Sequence, residues 1–304
     1  MKKRDLVSLE TLTPKEMLKL LELAEKVKSY RNHSSNALTG KTIGLLFQKP
    51  SNRTRVSFEV GIHQLGGHCI YLSPDEINLG VREDTADVAK TLSRYLDGIV
   101  ARTNDHQDMY DLARYSTIPV INGLSDLFHP CQALADIFSI KERFDDLEGL
   151  KVAYIGDGNN VCHSLLLACA MVGMNISVAS PKGYEPEKEV VELAKTYSGK
   201  IKITNDPKEA VKGADVVYSD VWDSMGQETE GKERLKVFKG FQINKTLLKT
   251  ADPNHIFMHC LPAHRGEEVT ADVIDGKNSI IFDQAENRLH VQKAILIFLF
   301  EHFK

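Results

Sequence analysis

Short apolar runs with strand character alternate with helical patterns along almost the whole of this chain, and most of the runs end in a cluster of polar residues. That alternation restricts the fold to parallel α/β sheets, because parallel strands need a crossover, usually a helix, between them. The strand candidates are residues 43–47, 68–72, 98–101, 119–121, 151–155, 175–179, 201–204, 215–219, 255–258 and 279–282. The first helix opens on Thr13-Pro14-Lys15-Glu16, a capping box with proline at the first helical position. Met17, Leu20, Leu21, Ala24 and Val27 give it an apolar face at helical spacing. With 304 residues the chain is too long for one small core and suits two domains. The polar stretch 142–149 marks their junction, giving domains 1–145 and 146–284. The final helix, 285–304, has an apolar face long enough to pack back on the first domain, so two helices cross between the domains. The expected fold class is therefore α/β: two domains, each a parallel-sheet α/β sandwich, linked by two interdomain helices.

Composition excludes several function classes. The net charge is −4 with no basic block, which argues against nucleic acid as a partner. Met1-Lys2-Lys3-Arg4-Asp5 lacks the apolar core of a signal peptide, and the longest apolar stretch, 294–300, is far short of the ~20 residues of a membrane span. A cytoplasmic protein with no membrane contact is expected. Cys69, Cys131, Cys162, Cys169 and Cys260 are an odd set without a CxxC pair, so neither a disulfide framework nor a zinc site is expected, and most of them should be buried.

The polar clusters fall in one kind of place. Ser51-Asn52-Arg53-Thr54-Arg55 follows the strand ending at Phe47 and precedes a helix start at Val56. Strand, turn and helix start aim free N–H groups and a dipole at one point, and two hydroxyls with two guanidiniums there suit phosphate or carboxylate; a solvated basic turn capping a helix has the same residues. Arg102, His129, Asn159-Asn160, Asp220 and Cys260 likewise stand at or just beyond strand ends. Open parallel sheets bind ligands in the crevice beyond those ends. A polar small molecule held between two α/β domains is the expected ligand.

Each cluster has its own chemistry. Arg102 needs an anion or carboxylate partner, since its charge cannot sit alone beside a sheet. In His129-Pro130-Cys131-Gln132 the His and Gln lie three apart at a helix start and can face one spot. Asp220-Val221-Trp222-Asp223-Ser224-Met225-Gly226 offers a carboxylate and a hydroxyl suited to a zwitterion's ammonium group. Met258-His259-Cys260-Leu261-Pro262 places a thiol and backbone carbonyls at a strand end, with Leu261-Pro262 a candidate cis peptide. Gly156-Asp157-Gly158-Asn159-Asn160 looks like a dinucleotide turn, but Val161 takes the third glycine's place and Ser180-Pro181 stands where a ribose-binding acid would be, which argues against a nicotinamide cofactor.

Together these motifs resemble the aspartate/ornithine carbamoyltransferase family over essentially the full length, in its ornithine branch. Ser51 to Arg55 matches the family's Ser-Thr-Arg-Thr-Arg motif, and His129 to Gln132 its His-Pro-x-Gln. Asp220 to Gly226 and His259 to Pro262 match Asp-x-x-x-Ser-Met-Gly and His-Cys-Leu-Pro of the ornithine branch. The resemblance implies carbamoyl phosphate bound by Ser51, Asn52, Arg53, Thr54, Arg102, His129 and Gln132, with Cys260, Leu261 and Arg288 closing the site. It implies Asn160, Asp220, Ser224 and Met225 around L-ornithine, and Arg102, His129, Gln132 and Cys260 as the catalytic group. No metal and no cofactor are implied. Trimers or multiples of trimers are implied, with a neighbour's loop near residues 75–83 completing the first site. Two positions depart from the pattern: Asn52 stands where Thr is usual, and Asn78 where many ornithine enzymes place Gln.

Overall fold

The structure is a computed structural model that describes residues 3–29, 36–77, 79–80, 82–222 and 231–301. The chain divides into two compact units, residues 1–138 with 286–304, and 139–285. Its strands are β1 Thr42–Phe47, β2 His68–Leu72, β3 Gly98–Arg102, β4 Val120–Leu124, β5 Lys151–Ile155, β6 Asn175–Ala179, β7 Ile201–Thr204, β8 Val216–Ser219 and β9 Ile256–His259. The first unit holds a sheet of order β2-β1-β3-β4, the second a sheet of order β7-β6-β5-β8-β9, and every strand pair in both is parallel.

The central strands are buried along most of their length because helices cover both faces of a parallel sheet. β3 is buried at all five positions and β8 at all four. The first core gathers Leu46, Ile99, Ala101, Met109 and Leu112, the second Ile155, Val217, Phe257, Val269 and Ile281. The helix Asn160–Met171 is buried from Val161 through Met171, as a helix apolar on every side must be. The capping box forms as expected: Thr13 N–H donates to Glu16 Oε2 at 2.9 Å, and Glu16 N–H to Thr13 Oγ1 at 3.3 Å. Among the five cysteines, all free, Cys131, Cys162 and Cys169 are buried. No described helix is long and apolar enough to cross a membrane.

Two local expectations are corrected. Residues 279–282 do not form a strand. Ser279 makes one isolated bridge to Phe257, and a helix, Ile281–Glu301, begins at once, four residues earlier than expected. A short apolar run has no decisive period, and here Gln284 N–H bonds the Ile280 carbonyl at 2.8 Å and starts the helix. The second correction concerns Ser51 to Arg55, which is no separate turn before a helix. Ser51 is the N-cap, and Asn52 to Arg55 form the first turn of Asn52–Gln64.

Candidate active site

In the first unit the strand order reverses between β1 and β3, the position where such sheets bind ligands beyond their carboxyl ends. Phe47, the last residue of β1, is the ladder partner of Arg102, the last of β3. Beyond β1, Ser51 adopts an extended conformation and its Oγ accepts from Thr54 N–H at 3.4 Å. That cap uses one amide of the first turn; those of Asn52 and Arg53 have no acceptor within their own helix. Beside β3, the β3–β4 register slips so that Ala101 faces Asn122 while Arg102 faces Leu124. Gly123 is the extra residue of this bulge, and a Cβ there would lie 3.1 Å from the Ala101 carbonyl. The bulge sets the direction from which Arg102 and the segment after β4 leave the sheet.

Three guanidiniums gather around this point. Arg102 is 6% exposed, and its Nε has no hydrogen-bond partner among the described residues. Burial, then Arg288, then Arg53 push its pKa down to about 10, with no carboxylate opposing them. Arg288, also buried, donates to Gln132 Oε1 at 3.1 Å and to Thr54 Oγ1 at 3.0 Å. Gln132 Nε2 donates to Asp136 at 2.8 Å, so its amide orients Arg288 and keeps one further N–H. His129 immediately precedes the helix Pro130–Phe144, its carbonyl accepting from the amides of Gln132 and Ala133. Burial, together with Arg288, Arg102 and Arg53, holds its ring well below the usual imidazole range and so favours the neutral ring. Arg55, the second guanidinium expected in the anion pocket, is elsewhere. Its Nε donates to Glu59 at 2.7 Å and its head lies 3.8 Å over the Tyr71 ring.

The second unit reverses its strand order between β5 and β8. Asn159 follows β5 and Asp220 follows β8. Asp220 Oδ2 accepts from Asn159 Nδ2 at 2.8 Å; Oδ1 accepts from Val221 N–H at 2.8 Å and from the Cys260 thiol at 2.9 Å. A thiol donating to a carboxylate keeps its proton, which suits an orienting group better than a nucleophile. Burial, then Asp220, lift the Tyr154 phenol well above its usual range. Leu261 has φ +60°, the Leu261-Pro262 peptide is cis, and Leu261 N–H donates to His259 Nδ1 at 2.9 Å. Asp220, His259 and Cys260 offer ligand atoms within 4.8 Å of one another; the thiol is bonded to the carboxylate, and His259 Nδ1 accepts from Leu261 N–H.

The sequence places Asn159 at this strand end but not its bond to Asp220, and it does not single out Arg234 at all. Asn159 caps the helix Asn160–Met171, its Oδ1 accepting from Val161 and Cys162 amides at 3.0 and 3.1 Å, while its amide nitrogen holds Asp220. An Asn before an apolar helical run is a cap signal; its second bond is long-range. Asn160 itself turns Oδ1 to Val161 N–H at 2.9 Å. Arg234 is buried; it donates from Nε to the Trp222 carbonyl at 2.6 Å, pairs with Asp157 and lies over the Tyr184 and Phe238 rings. The dinucleotide-like turn is closed: a Cβ on Gly158 would meet Pro186 N at 2.2 Å, so the chain's own backbone fills the space where a pyrophosphate would approach. Asn78, Ser224 and Met225 lie outside the described residues.

Comparison with known proteins matches both halves. A family model for the carbamoyl-P binding domain of aspartate/ornithine carbamoyltransferases covers residues 4–142, and one for the Asp/Orn binding domain covers 148–299. The chain is 54% identical over 299 residues to the ornithine carbamoyltransferase of Thermococcus kodakarensis, covering 96% of this chain and 95% of that one. It is 53% identical over 299 residues to a Pyrococcus furiosus protein named ornithine carbamoyltransferase, anabolic, with coverage of 96% and 95%. The solved structure of the ornithine carbamoyltransferase from Pyrococcus furiosus superposes with a TM-score of 0.93 at 53% identity, over 97% of this chain and 96% of that one. Two parallel α/β units, each with its polar groups at the strand-order reversal, and family models spanning nearly every residue lead to one conclusion: the chain is a transferase that belongs to the aspartate/ornithine carbamoyltransferase family.

Proposed function

We propose that this protein transfers the carbamoyl group of carbamoyl phosphate to the δ-amine of L-ornithine, giving L-citrulline and phosphate. The observation that carries the reading is the opposite charge of the polar clusters in the two units. Arg53, Arg102 and Arg288 surround a point with no carboxylate among the charges acting on Arg102, while Asp220 is a buried carboxylate held by three donors. The first suits a phosphate dianion, the second an α-ammonium group. Relatives at more than 50% identity carry the name ornithine carbamoyltransferase.

The amine nitrogen attacks the carbamoyl carbon, the C–N bond forms, the bond to phosphate oxygen breaks, and the amine's proton leaves with phosphate or solvent. Arg102, His129 and Thr54 donate to the carbonyl oxygen as it becomes an oxyanion; one such donor is worth roughly 3–4 kcal/mol. The open amides of the first turn after Ser51, with Arg53, hold phosphate, and Gln132 orients Arg288 toward the same group. Asn52 joins through its backbone. Asp220 anchors the α-ammonium with Asn160, Ser224 and Met225 around the amino acid, and Cys260 and Leu261 orient the amine. The δ-amine must be neutral to attack, although a free alkyl amine has a pKa near ~10, so desolvation must lower it.

Residues 1–145 with the C-terminal helix form the carbamoyl phosphate domain in this reading and 146–284 the ornithine domain. Catalysis is cytoplasmic and serves arginine biosynthesis, in keeping with the anabolic Pyrococcus relative. The protein is a homotrimer or a multiple of trimers, a neighbour's loop near residues 75–83 completing the carbamoyl phosphate site, with Asn78 standing in that loop where many ornithine enzymes have the longer Gln. Exposed Val56, Val60 and Ile70, on the helix Asn52–Gln64 and the edge strand β2, supply an apolar surface for that association. The test is a carbamoylated-product assay with L-ornithine, putrescine, N-acetylornithine and L-aspartate offered in parallel. Citrulline with the highest kcat/KM for ornithine is the expected result. Product from another amine alone overturns the amino-acid assignment, and no product from any acceptor overturns the activity.

A further inference from the structure

We propose that His106 is a positioning residue for carbamoyl transfer, holding through Ser125 the turn that delivers His129; this rests on the role of His129 as a carbonyl donor given above. His106 begins the helix His106–Tyr115, four residues after Arg102. Ser125 lies one residue beyond β4 and four before His129. The imidazole Nδ1 is 2.7 Å from Ser125 Oγ, so one contact joins the two segments that carry Arg102 and His129.

The Ser125 hydroxyl takes part in the turn that leads to His129, its Oγ also donating to the Phe128 carbonyl at 3.3 Å. Ser125 N–H donates to the Phe128 carbonyl at 2.9 Å, and Phe128 N–H donates back to Ser125 Oγ at 3.2 Å, closing a four-residue turn. Asn122 Nδ2, anchored on the Val7 carbonyl at 2.8 Å, also reaches Ser125 Oγ and the Phe128 carbonyl, each at 3.4 Å. The Phe128 ring meets the imidazole edge at a centroid distance of 5.2 Å, with Tyr110 at 4.5 Å on the same ring.

His106 is an expensive residue to place here. It is 4% exposed, and its Nε2 has no hydrogen-bond partner among the described residues. A phenylalanine would pack against Tyr110 and Phe128 without an unsatisfied nitrogen. What only the imidazole supplies is the bond to Ser125. A reacting group displaced by about 1 Å can cost on the order of a hundredfold in rate, so small play in this turn should reach turnover.

Full-length His106→Phe, His106→Asn, Ser125→Ala and the double variant His106→Phe/Ser125→Ala would be compared with wild type for kcat and for both KM values. Asn places a polar atom close to the Nδ1 position and serves as the conservative rescue. His106→Phe should lower kcat roughly ten- to thirtyfold with the ornithine KM within about threefold. Ser125→Ala should do the same, the double variant should be no worse than the poorer single, and Asn should recover most of the loss. A kcat within twofold of wild type for His106→Phe, multiplying losses in the double variant, or Asn no better than Phe overturns the proposal. If His106→Phe does not fold, Ser125→Ala decides by the same criterion. A wild type that makes no citrulline overturns the activity and this inference together; an active wild type with an indifferent His106→Phe overturns this inference alone.

Discussion

Arg102→Met separates function from stability in this fold. The guanidinium is buried, and its pKa falls from the ordinary arginine range to about 10 through burial and the nearby Arg288 and Arg53. At about 1.4 kcal/mol per pKa unit, the folded protein holds this charge at a cost of roughly 3 kcal/mol. A base with a depressed folded pKa destabilises the fold fully below about pH 10, and the penalty fades as pH rises toward the ordinary arginine range. Methionine removes the charge but leaves some packing unfilled, so the ligand-free variant should gain about 1–2 kcal/mol. Loss of an oxyanion donor should lower kcat by roughly 10²–10³-fold.

Urea unfolding at pH 8, with and without phosphate, checks the first claim, and citrulline formation the second. Wild type should gain about 2.7 kcal/mol at a phosphate concentration 100 times its Kd, and the variant distinctly less at the same concentration. A ligand-free variant less stable than wild type would show that Arg102 is compensated in the free protein, and the charge argument would fail. Retention of most turnover would remove Arg102 from the mechanism.

Two further outcomes follow from the same geometry. Asp220→Asn keeps an acceptor for Val221 and Cys260 but loses the charge, so the ornithine KM should rise roughly ten- to a hundredfold while carbamoyl phosphate affinity holds; the reverse pattern in initial-rate kinetics would mean the two pockets are exchanged. Burial pushes the His106 ring down to about 4, so stability present above its ordinary 6.5 should be lost as pH falls from 6.5 toward 4, by roughly 3 kcal/mol from this ring alone. His106→Phe should flatten that slope in unfolding curves between pH 7.5 and 4.5, and an unchanged slope would refute it.

The strands were largely legible because a buried parallel strand is a short apolar run with little else to become. Residues 68–72, 151–155, 175–179 and 201–204 match the observed strands. The polar clusters at their ends were legible for the same reason, a charged residue against an apolar run being conspicuous. What stayed hidden depends on partners distant in sequence. Arg55 looks equivalent to Arg53 until Glu59 and the Tyr71 ring claim it. Asn159 is visible as a helix cap, but its grip on Asp220 spans 61 positions. Arg234 and His106 have no local motif at all; their partners, Asp157 and Tyr184 for the one and Ser125 and Phe128 for the other, lie far along the chain. The segment 279–282 failed for a different reason: four apolar-rich residues suit a strand and a helix start equally, and the helix won.

The two helix starts at the two strand-order reversals differ in a way that suits the proposed function, one to an anion and the other to a cation. After β1 the cap is a serine that occupies only the Thr54 amide, and the neighbouring charges are guanidiniums. The dipole and the remaining amides stay available to a phosphate. After β5 the cap is Asn159, which takes both the Val161 and Cys162 amides, and Asp220 stands beside it. The same backbone arrangement is thereby closed to anions, and its net charge suits an ammonium group. Asn159→Ala tests this directly. It should cost about 1 kcal/mol in stability through the lost cap. It should raise the ornithine KM roughly tenfold as Asp220 loses its anchor. It should also make phosphate compete with ornithine, because the freed amides now accept an anion. An unchanged ornithine KM would show that Val221 and Cys260 suffice to hold Asp220, and the absence of new phosphate competition would show that the carboxylate alone, not the cap, excludes anions.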